Sequence, residues 1–221
     1  MNIRTFVRAL VALMVLSSQN IVAAESRSDL LNGLEPIIGA YPPNINGEDE
    51  LASVKSRYEK LKVELDSAIE ASPKDEKLLF ERAHLQSMGH NFDYPGAWQG
   101  STDDFKAILT IDPAHIGALV GLGSLWVNSD QSLAPKAEGL FRAAQCYTGK
   151  EPLEAAQRGL FFALYYQAKL QDAYRQSVFL VKTWPENEDY QRANEATREV
   201  LEGSGGGAPV VELVAMASCS E

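Results

Sequence analysis

Few side chains in this sequence have the types and spacing that catalysis or metal binding requires. His84 and His90 stand six residues apart and have no cysteine near them, whereas a zinc-binding pair on one helical face is separated by a single turn. The glycine-rich run 203–207 lacks the lysine of a phosphate-binding loop, and no G-x-S-x-G nucleophile motif occurs. We therefore predict no catalytic residue, no metal site and no cofactor, and hence a protein that is not an enzyme.

The charge and composition favour a protein partner over a nucleic acid. The 221 residues are 45% hydrophobic and 23% charged, which is typical of a globular protein. They include 30 acidic and 20 basic residues, so the formal net charge is −10. A surface this negative repels phosphate backbones and anionic lipids. We therefore expect a protein or peptide partner and no nucleic acid.

The segment from Met1 to Ala24 has the organisation of a secretory signal peptide. Two arginines precede the apolar run 9–16, which is too short to anchor in a bilayer, and small residues at 22–24 suit signal peptidase. This pattern predicts a mature chain that begins at Glu25 and is soluble in the bacterial periplasm or outside the cell. An uncleaved amphipathic helix or membrane anchor is the alternative. No later segment approaches the length of a membrane span.

The sequence contains two cysteines, Cys146 and Cys219. In an oxidising compartment they have the even count that permits one disulfide. The alternative is a helix-buried Cys146 and an unpaired Cys219, which the flexible run Gly203–Gly207 between them favours. The sequence alone leaves both arrangements open.

Helical periodicity dominates the chain after residue 48, while strand signals are nearly absent. Apolar residues recur every three or four positions from Leu51 to Ile69, which predicts one long helix beginning near Asp49. The dipeptide Ser72-Pro73 predicts the start of the next helix, with the serine as its N-cap and the proline in its first turn.

Prolines punctuate these helices at nearly regular intervals. Pro73 and Pro113 are 40 residues apart, and Pro185 follows after a further 72, or two units of 36. We expect a helix over His115–Asn128 and a closing polar helix over residues 187–202. Within the latter, the predicted apolar stripe consists of Tyr190, Ala193, Ala196 and Val200.

The best-formed unit lies between the second and third of these prolines. Small residues there allow two antiparallel helices to approach, and large apolar residues fill the space between them. We expect the large and small apolar residues to form one packed layer, with Gly123 facing another helix. The motifs are Leu119-x-x-Leu122-Gly123-x-x-Trp126 and Ala137-x-x-x-Phe141-x-x-Ala144.

This pattern resembles the tetratricopeptide repeat (TPR), a helix–turn–helix unit of about 34 residues. Looser units open at Leu79 and Leu160, so that the resemblance covers residues 49–203. It implies an all-α fold of antiparallel helix hairpins, about three TPR-like units plus capping helices, stacked as a short right-handed α-solenoid.

Two segments flank the predicted helical domain. We expect residues 25–48 to form an N-terminal arm that covers exposed apolar surface, and its three prolines predict turns rather than a long helix. Residues 204–221 begin as a glycine-rich linker and end in a tail with an apolar run at 210–214.

The resemblance implies that the first helix of each unit lines a concave surface. Aromatic residues and arginine are frequent anchors of protein interfaces. The alternative is that these side chains pack against a neighbouring helix, the arm or the tail. The predicted partner-binding groove consists of Phe80, His84, Asn128, Arg158, Phe162, Tyr165 and Tyr166.

The insertion Gly89–Gly100 is a second candidate site. It carries Phe92, Tyr94 and Trp98 in what the sequence predicts to be a long loop between two helices. Long loops are often functional, although aromatic residues within them also serve to fix the loop to the helices beneath.

These features predict a non-enzymatic interaction module or scaffold of the bacterial cell envelope, which docks a peptide or protein on its concave helical surface. The clamp of lysine and asparagine with which some TPR proteins hold a C-terminal carboxylate is largely absent, so an apolar or aromatic-anchored partner fits better. The alternative is a hydrolase or ligand-binding protein with a pocket between the 89–100 loop and the groove. Convergent carboxylates, or a carboxylate within reach of His84, would favour that alternative.

Overall fold

The computed structural model describes residues 26–204, and this part of the chain is all-helical. It contains nine α-helices, a short 3-10 helix at Gln131–Leu133 and no strand. The predicted all-α fold class is confirmed, whereas the predicted signal peptide and residues 205–221 of the predicted tail lie outside the described residues. The helices are α1 Arg27–Ile38, α2 Glu48–Ala71, α3 Glu76–Asn91, α4 Ala97–Ile111, α5 Ile116–Ser129, α6 Ala134–Thr148, α7 Glu154–Tyr166, α8 Leu170–Thr183 and α9 Glu188–Gly203.

The helices pack as antiparallel hairpins that stack in chain order. Helix α3 pairs with α4, α5 with α6 and α7 with α8, while α9 packs on α8. Each second helix also packs on the first helix of the following hairpin, and α3, α5 and α7 contact one another in sequence. The architecture is therefore solenoid-like. None of the described helices is long and apolar enough to cross a membrane.

A phenylalanine seated on a glycine joins successive hairpins. The ring of Phe105, on α4, lies where a Cβ atom on Gly121 of α5 would stand, and the ring of Phe141, on α6, lies where a Cβ atom on Gly159 of α7 would stand. Phe141 also covers Gly123, as predicted for a glycine that faces another helix. The two phenylalanines are 36 residues apart and both are buried. The contact thus recurs at both junctions between successive hairpins, from α4 to α5 and from α6 to α7.

The last junction of the stack is polar instead. In α8 the position of the seated phenylalanine is occupied by Ser177, whose hydroxyl accepts a hydrogen bond of 2.9 Å from the Nδ2 atom of Asn194 on α9. The predicted apolar stripe of α9 is wrong in part, because Ala196 and Val200 are exposed while Thr197 and Leu201 are buried. The buried side of α9 is therefore rotated relative to the predicted stripe. Apolar periodicity could not predict this rotation, because a polar residue, Asn194, packs against α8.

Two predicted helix starts are displaced. Ser72 is the C-cap of α2, and Asp75 is the N-cap of α3, its carboxylate accepting a hydrogen bond of 3.1 Å from the amide of Leu78. Helix α5 begins one residue later than predicted, because His115 is its N-cap. The Nδ1 atom of His115 accepts a hydrogen bond from the amide of Ala118. The prolines at 73 and 113 therefore lie in the turns before the helices.

The N-terminal arm is more ordered than predicted. Residues 27–38 form α1, with a capping box between Ser26 and Asp29. Pro36 lies in the last turn, where the helix is ending, and so does not prevent it. As expected, the arm covers apolar surface, because four of its side chains are buried against α2 and α3, namely Leu30, Leu31, Leu34 and Ile38.

The expected single layer around Trp126 is split between two clusters. Leu119 and Phe141 belong to the C-terminal cluster, whereas Leu122 belongs to the N-terminal one. Trp126 is half-buried and contacts both, and its indole N–H donates to the Thr102 hydroxyl at 3.4 Å. Helix α5 thus presents its large residues to hairpins on both sides.

We expect Gly159→Ala to destabilise the protein. The new methyl group would overlap the buried ring of Phe141, so the ring has to shift within a packed core, and this overpacking should cost about 1–3 kcal/mol in the free energy of unfolding. Gly139→Ala is the matched control, because a Cβ atom there contacts nothing within 4 Å. It should stabilise α6 by about 0.5–1 kcal/mol through helix propensity.

Chemical denaturation of both variants checks this prediction. Equal stabilisation by the two alanines would show that Phe141 is not seated on Gly159.

Candidate functional site

The strongest candidate site is a set of three rings near the end of α7, which we call the aromatic face: Phe162, Tyr165 and Tyr166. The rings of Phe162 and Tyr166 are stacked with their centroids 6.2 Å apart, and Tyr165 meets Tyr166 edge-on at 6.1 Å. The sequence fixes this arrangement because residues three and four positions apart share one side of a helix.

The opposite side of α7 supplies the packing of the hairpins. Ala156, Leu160, Ala163 and Leu164 are all buried there. The three rings of the aromatic face are only half-buried. Among the described residues, the hydroxyls of Tyr165 and Tyr166 make no hydrogen bond, and neither is a buried unpaired atom. The face therefore offers both apolar ring surface and polar groups in contact with water.

Arg158 lies beside this surface on α7, whereas Asn128 lies on the neighbouring helix α5. Arg158 precedes Phe162 by one turn of α7 and is exposed. Asn128 is exposed near the end of α5, which packs on α7. Nearby, Tyr190 at the start of α9 donates a hydrogen bond of 2.7 Å to Glu154. Burial and this hydrogen bond raise the pKa of Tyr190 to about 12.

Glu138 fixes the end of α7 that carries the rings. Its carboxylate, on α6, accepts hydrogen bonds from Gln167 at 2.8 Å and from Lys169 at 2.9 Å, and it also pairs with Arg142. The turn between Gln167 and Lys169 places Ala168 in the left-handed region, with φ at 56°. Burial alone would raise the pKa of Glu138, but these hydrogen bonds outweigh it and hold that pKa below its ordinary value.

A network of glutamines, which sequence reasoning missed, connects the helices behind the aromatic face. The Oε1 atom of Gln145 on α6 accepts a hydrogen bond of 2.8 Å from Gln157 on α7 and another of 2.8 Å from the amide of Leu153. Gln176 on α8 donates to the side-chain and backbone oxygens of Gln157, at 2.7 and 3.0 Å. Glutamines 12 and 19 residues apart give no periodic signal, so only the fold reveals the network.

Two residues of the predicted groove are engaged elsewhere. The ring of Phe80 packs edge-on against Phe105 and lies over Gly117. The Nε2 atom of His84 is 2.8 Å from a carboxylate oxygen of Glu35 on α1, so the arm lies beside this part of α3. The structure thus unites the predicted groove residues of α7 but does not bring Phe80 and His84 to them.

The predicted loop at 89–100 is shorter than expected. Helix α3 continues to Asn91 and α4 begins at Ala97, so only residues 92–96 connect them. The rings of Phe92 and Tyr94 pack on Tyr58, with centroids 5.4 and 4.3 Å away. Trp98, in the first turn of α4, donates its indole N–H to Ser129 at 2.7 Å. These aromatics fix the connection to the neighbouring helices, which is the second of the two roles considered for them.

Cys146 is disulfide-bonded, so of the two arrangements that the sequence leaves open, the one with an unpaired Cys146 is excluded. Cys219 lies outside the described residues. Within residues 26–204, no cluster of histidine, cysteine, aspartate and glutamate is arranged to hold a metal ion.

Comparison with known proteins identifies no relative. Neither protein-family models, nor curated proteins, nor solved structures match this chain. The resemblance to TPR proteins therefore remains a hypothesis that rests on the sequence pattern.

We expect Glu138→Gln to make the stability less sensitive to acid. A carboxylate whose folded-state pKa is lowered stabilises the fold above its unfolded pKa, and this contribution is lost as the pH falls through the folded value. Between about pH 6 and pH 3 the wild type should lose more free energy of unfolding than the variant does.

Urea denaturation at several pH values measures this difference. Glu199→Gln, an exposed site on α9, is the control and should keep the wild-type acid dependence. The role of Glu138 is wrong if its variant keeps that dependence too.

Proposed function

We propose that the protein is a non-enzymatic docking module of the bacterial cell envelope, related to TPR proteins, which binds a peptide or protein through the aromatic face of α7. The observation that carries the proposal is the half-buried state of Phe162, Tyr165 and Tyr166 on a helix whose opposite side is already packed. Large rings that remain partly accessible together beside an arginine are the residue types that anchor protein interfaces.

The rigidity of α7 supports this role. Gly159 is held against Phe141, Gln157 is bonded to both neighbouring second helices, and Glu138 holds the turn that follows. A surface fixed in this way loses little conformational entropy on binding, so more of the contact energy appears as affinity.

The chemistry of the face indicates the kind of partner. The stacked rings suit a partner segment with aliphatic or aromatic side chains. The tyrosine hydroxyls, which face water, can form hydrogen bonds with the backbone of that segment. Arg158 at the edge adds a positive charge to a chain whose net charge is −10. An acidic residue flanking an apolar segment therefore fits the face best.

Two features support an exported location. The segment 1–24 has the pattern of a cleaved signal peptide, and Cys146 is disulfide-bonded. Disulfides persist in oxidising compartments such as the periplasm and are rare in the bacterial cytosol.

The contact of His84 with Glu35 favours a second candidate, a hydrolase or ligand-binding site on α3. In that role Glu35 would orient the imidazole as a general base. The docking role has more support, because His84 and Glu35 join α1 to α3, as Arg27 and Glu81 do with a 3.1 Å ion pair. Assays with ester and peptide substrates on wild type and His84→Ala test this candidate, and activity that disappears in the variant would establish it.

Capture of envelope proteins tests the docking role. Mature wild type and variants are used as bait in envelope extract, and any captured protein is purified and its affinity measured directly. Tyr165→Ala and Tyr166→Ala should each weaken the measured affinity about 30-fold, the loss expected for an anchor residue worth about 2 kcal/mol.

Tyr41→Ala is the matched control, because Tyr41 is 80% exposed and lies at the opposite end of the stack. It should bind like the wild type. Equal affinity of all three variants, or loss of affinity accompanied by unfolding of the Tyr165 and Tyr166 variants, would contradict the proposal.

A further inference from the structure

The sequence contains two asparagines that are each followed by a glycine, Asn32 and Asn46. Asparagine is a thermolabile residue, because its side-chain carbonyl carbon is open to attack by the backbone nitrogen of the next residue. A following glycine favours this attack, since it has no side chain to obstruct the approach. Both asparagines are exposed, so water and base reach both, and the two sites differ in the backbone around them.

Helix α1 protects the first of these pairs. Asn32 and Gly33 lie in the middle of α1, where the amide of Gly33 donates to the carbonyl of Asp29 in the regular pattern of an α-helix. Closing a five-membered ring onto that nitrogen would break this bond and turn the backbone of Asn32 out of its helical conformation. Arg57 on α2 also lies over Gly33, because a Cβ atom there would be 2.7 Å from its guanidinium group.

The second pair lies in a connection that leaves the same atoms free. Asn46 and Gly47 precede α2, and the φ angle of Gly47 is 92°, so the nitrogen of Gly47 is outside the helical hydrogen bonds. Among the described residues, neither this amide nor the side chain of Asn46 makes a hydrogen bond. The backbone amide of Asn46 donates to Glu50 at 2.5 Å. The nitrogen of Gly47 can therefore approach the side chain of Asn46 without breaking a hydrogen bond of its own.

We propose that Asn46 is a site of spontaneous deamidation in the folded protein, whereas Asn32 is protected by α1. The nitrogen of Gly47 attacks Cγ of Asn46, and the bond from Cγ to Nδ2 breaks with release of ammonia, which takes up the proton that the attacking amide loses. Water then adds to either carbonyl of the resulting succinimide ring. One opening leaves aspartate, and the other leaves isoaspartate, in which the side-chain carbonyl has become part of the backbone.

The modification changes the connection that joins α1 to α2. Ile45, directly before the site, packs on the N-terminal apolar cluster, and Asn44 donates its amide to the carbonyl of Ile37 at 2.7 Å. Either product adds a negative charge near Glu50, and isoaspartate also lengthens the backbone by one carbon atom. Deamidation therefore alters the segment that fixes the end of α1, and it does so progressively as the molecule ages.

Mass spectrometry of the full chain, incubated at mildly alkaline pH in water enriched in ¹⁸O, tests the proposal. The ¹⁸O label marks the deamidation that occurs during the incubation, and the peptides that contain the two asparagines are analysed separately. We expect Asn46 to be converted about ten-fold faster than Asn32 in the folded protein, because a helical amide reacts only while the helix is open. Equal rates in the folded protein, or no conversion of Asn46, would overturn the proposal.

Incubation in concentrated guanidinium chloride separates the effect of the fold from that of the neighbouring residues. In the unfolded chain no helix protects Asn32, so the two asparagines should be converted at similar rates. A ten-fold difference that persists in the denaturant would show that local sequence, and not α1, selects Asn46.

A variant with a loosened α1 gives a second readout. Leu34→Ala removes a fully buried side chain of α1, which packs on α2 and α3, so it should accelerate the conversion of Asn32 several-fold and leave that of Asn46 unchanged. Ser28→Ala, at an exposed position of the same helix, is the matched control and should change neither rate. An unchanged rate at Asn32 in the Leu34 variant would contradict the protective role of α1.

Discussion

The seating of a phenylalanine on a glycine determines how closely the hairpins approach. Phe105 on Gly121 and Phe141 on Gly159 each occupy the space that a side chain would take, so successive hairpins come together at backbone distance. Rings buried in this way also remove large apolar areas from water. The spacing of the stack, and with it the position of every side chain between the helices, depends on this contact.

The orientation of α7 follows from the same contact. Gly159 holds α7 against Phe141, the small and aliphatic residues of α7 are buried against the neighbouring helices, and Phe162, Tyr165 and Tyr166 stay half-buried at the margin of the C-terminal cluster. The glutamine network and the bonds of Glu138 then fix α7 at both ends. The candidate binding surface is thus formed by side chains of a single packed helix, and no loop contributes to it.

Much of this architecture could be predicted from the sequence, because apolar periodicity reports which side of a helix is buried. It located the stripe of α2 from Val54 to Ile69 and the glycine that faces Phe141. It failed where polar groups decide the packing, as with Asn194 on α9, or where a turn is shorter than its composition indicates, as at residues 92–96. The contact of His84 with Glu35 joins residues 49 positions apart, and no local pattern encodes such a distance.

The hydrogen bond between Ser177 and Asn194 has a consequence for self-association. A stack of similar hairpins is open at its ends, and an apolar seat on the last helix would let one molecule continue the array of another into a filament. With a hydroxyl at position 177 and a charged outer surface on α9, head-to-tail growth gains no aromatic contact and would bury charge. A second molecule stacked on α9 would therefore have to cover charged side chains, which disfavours continuation of the array at this end.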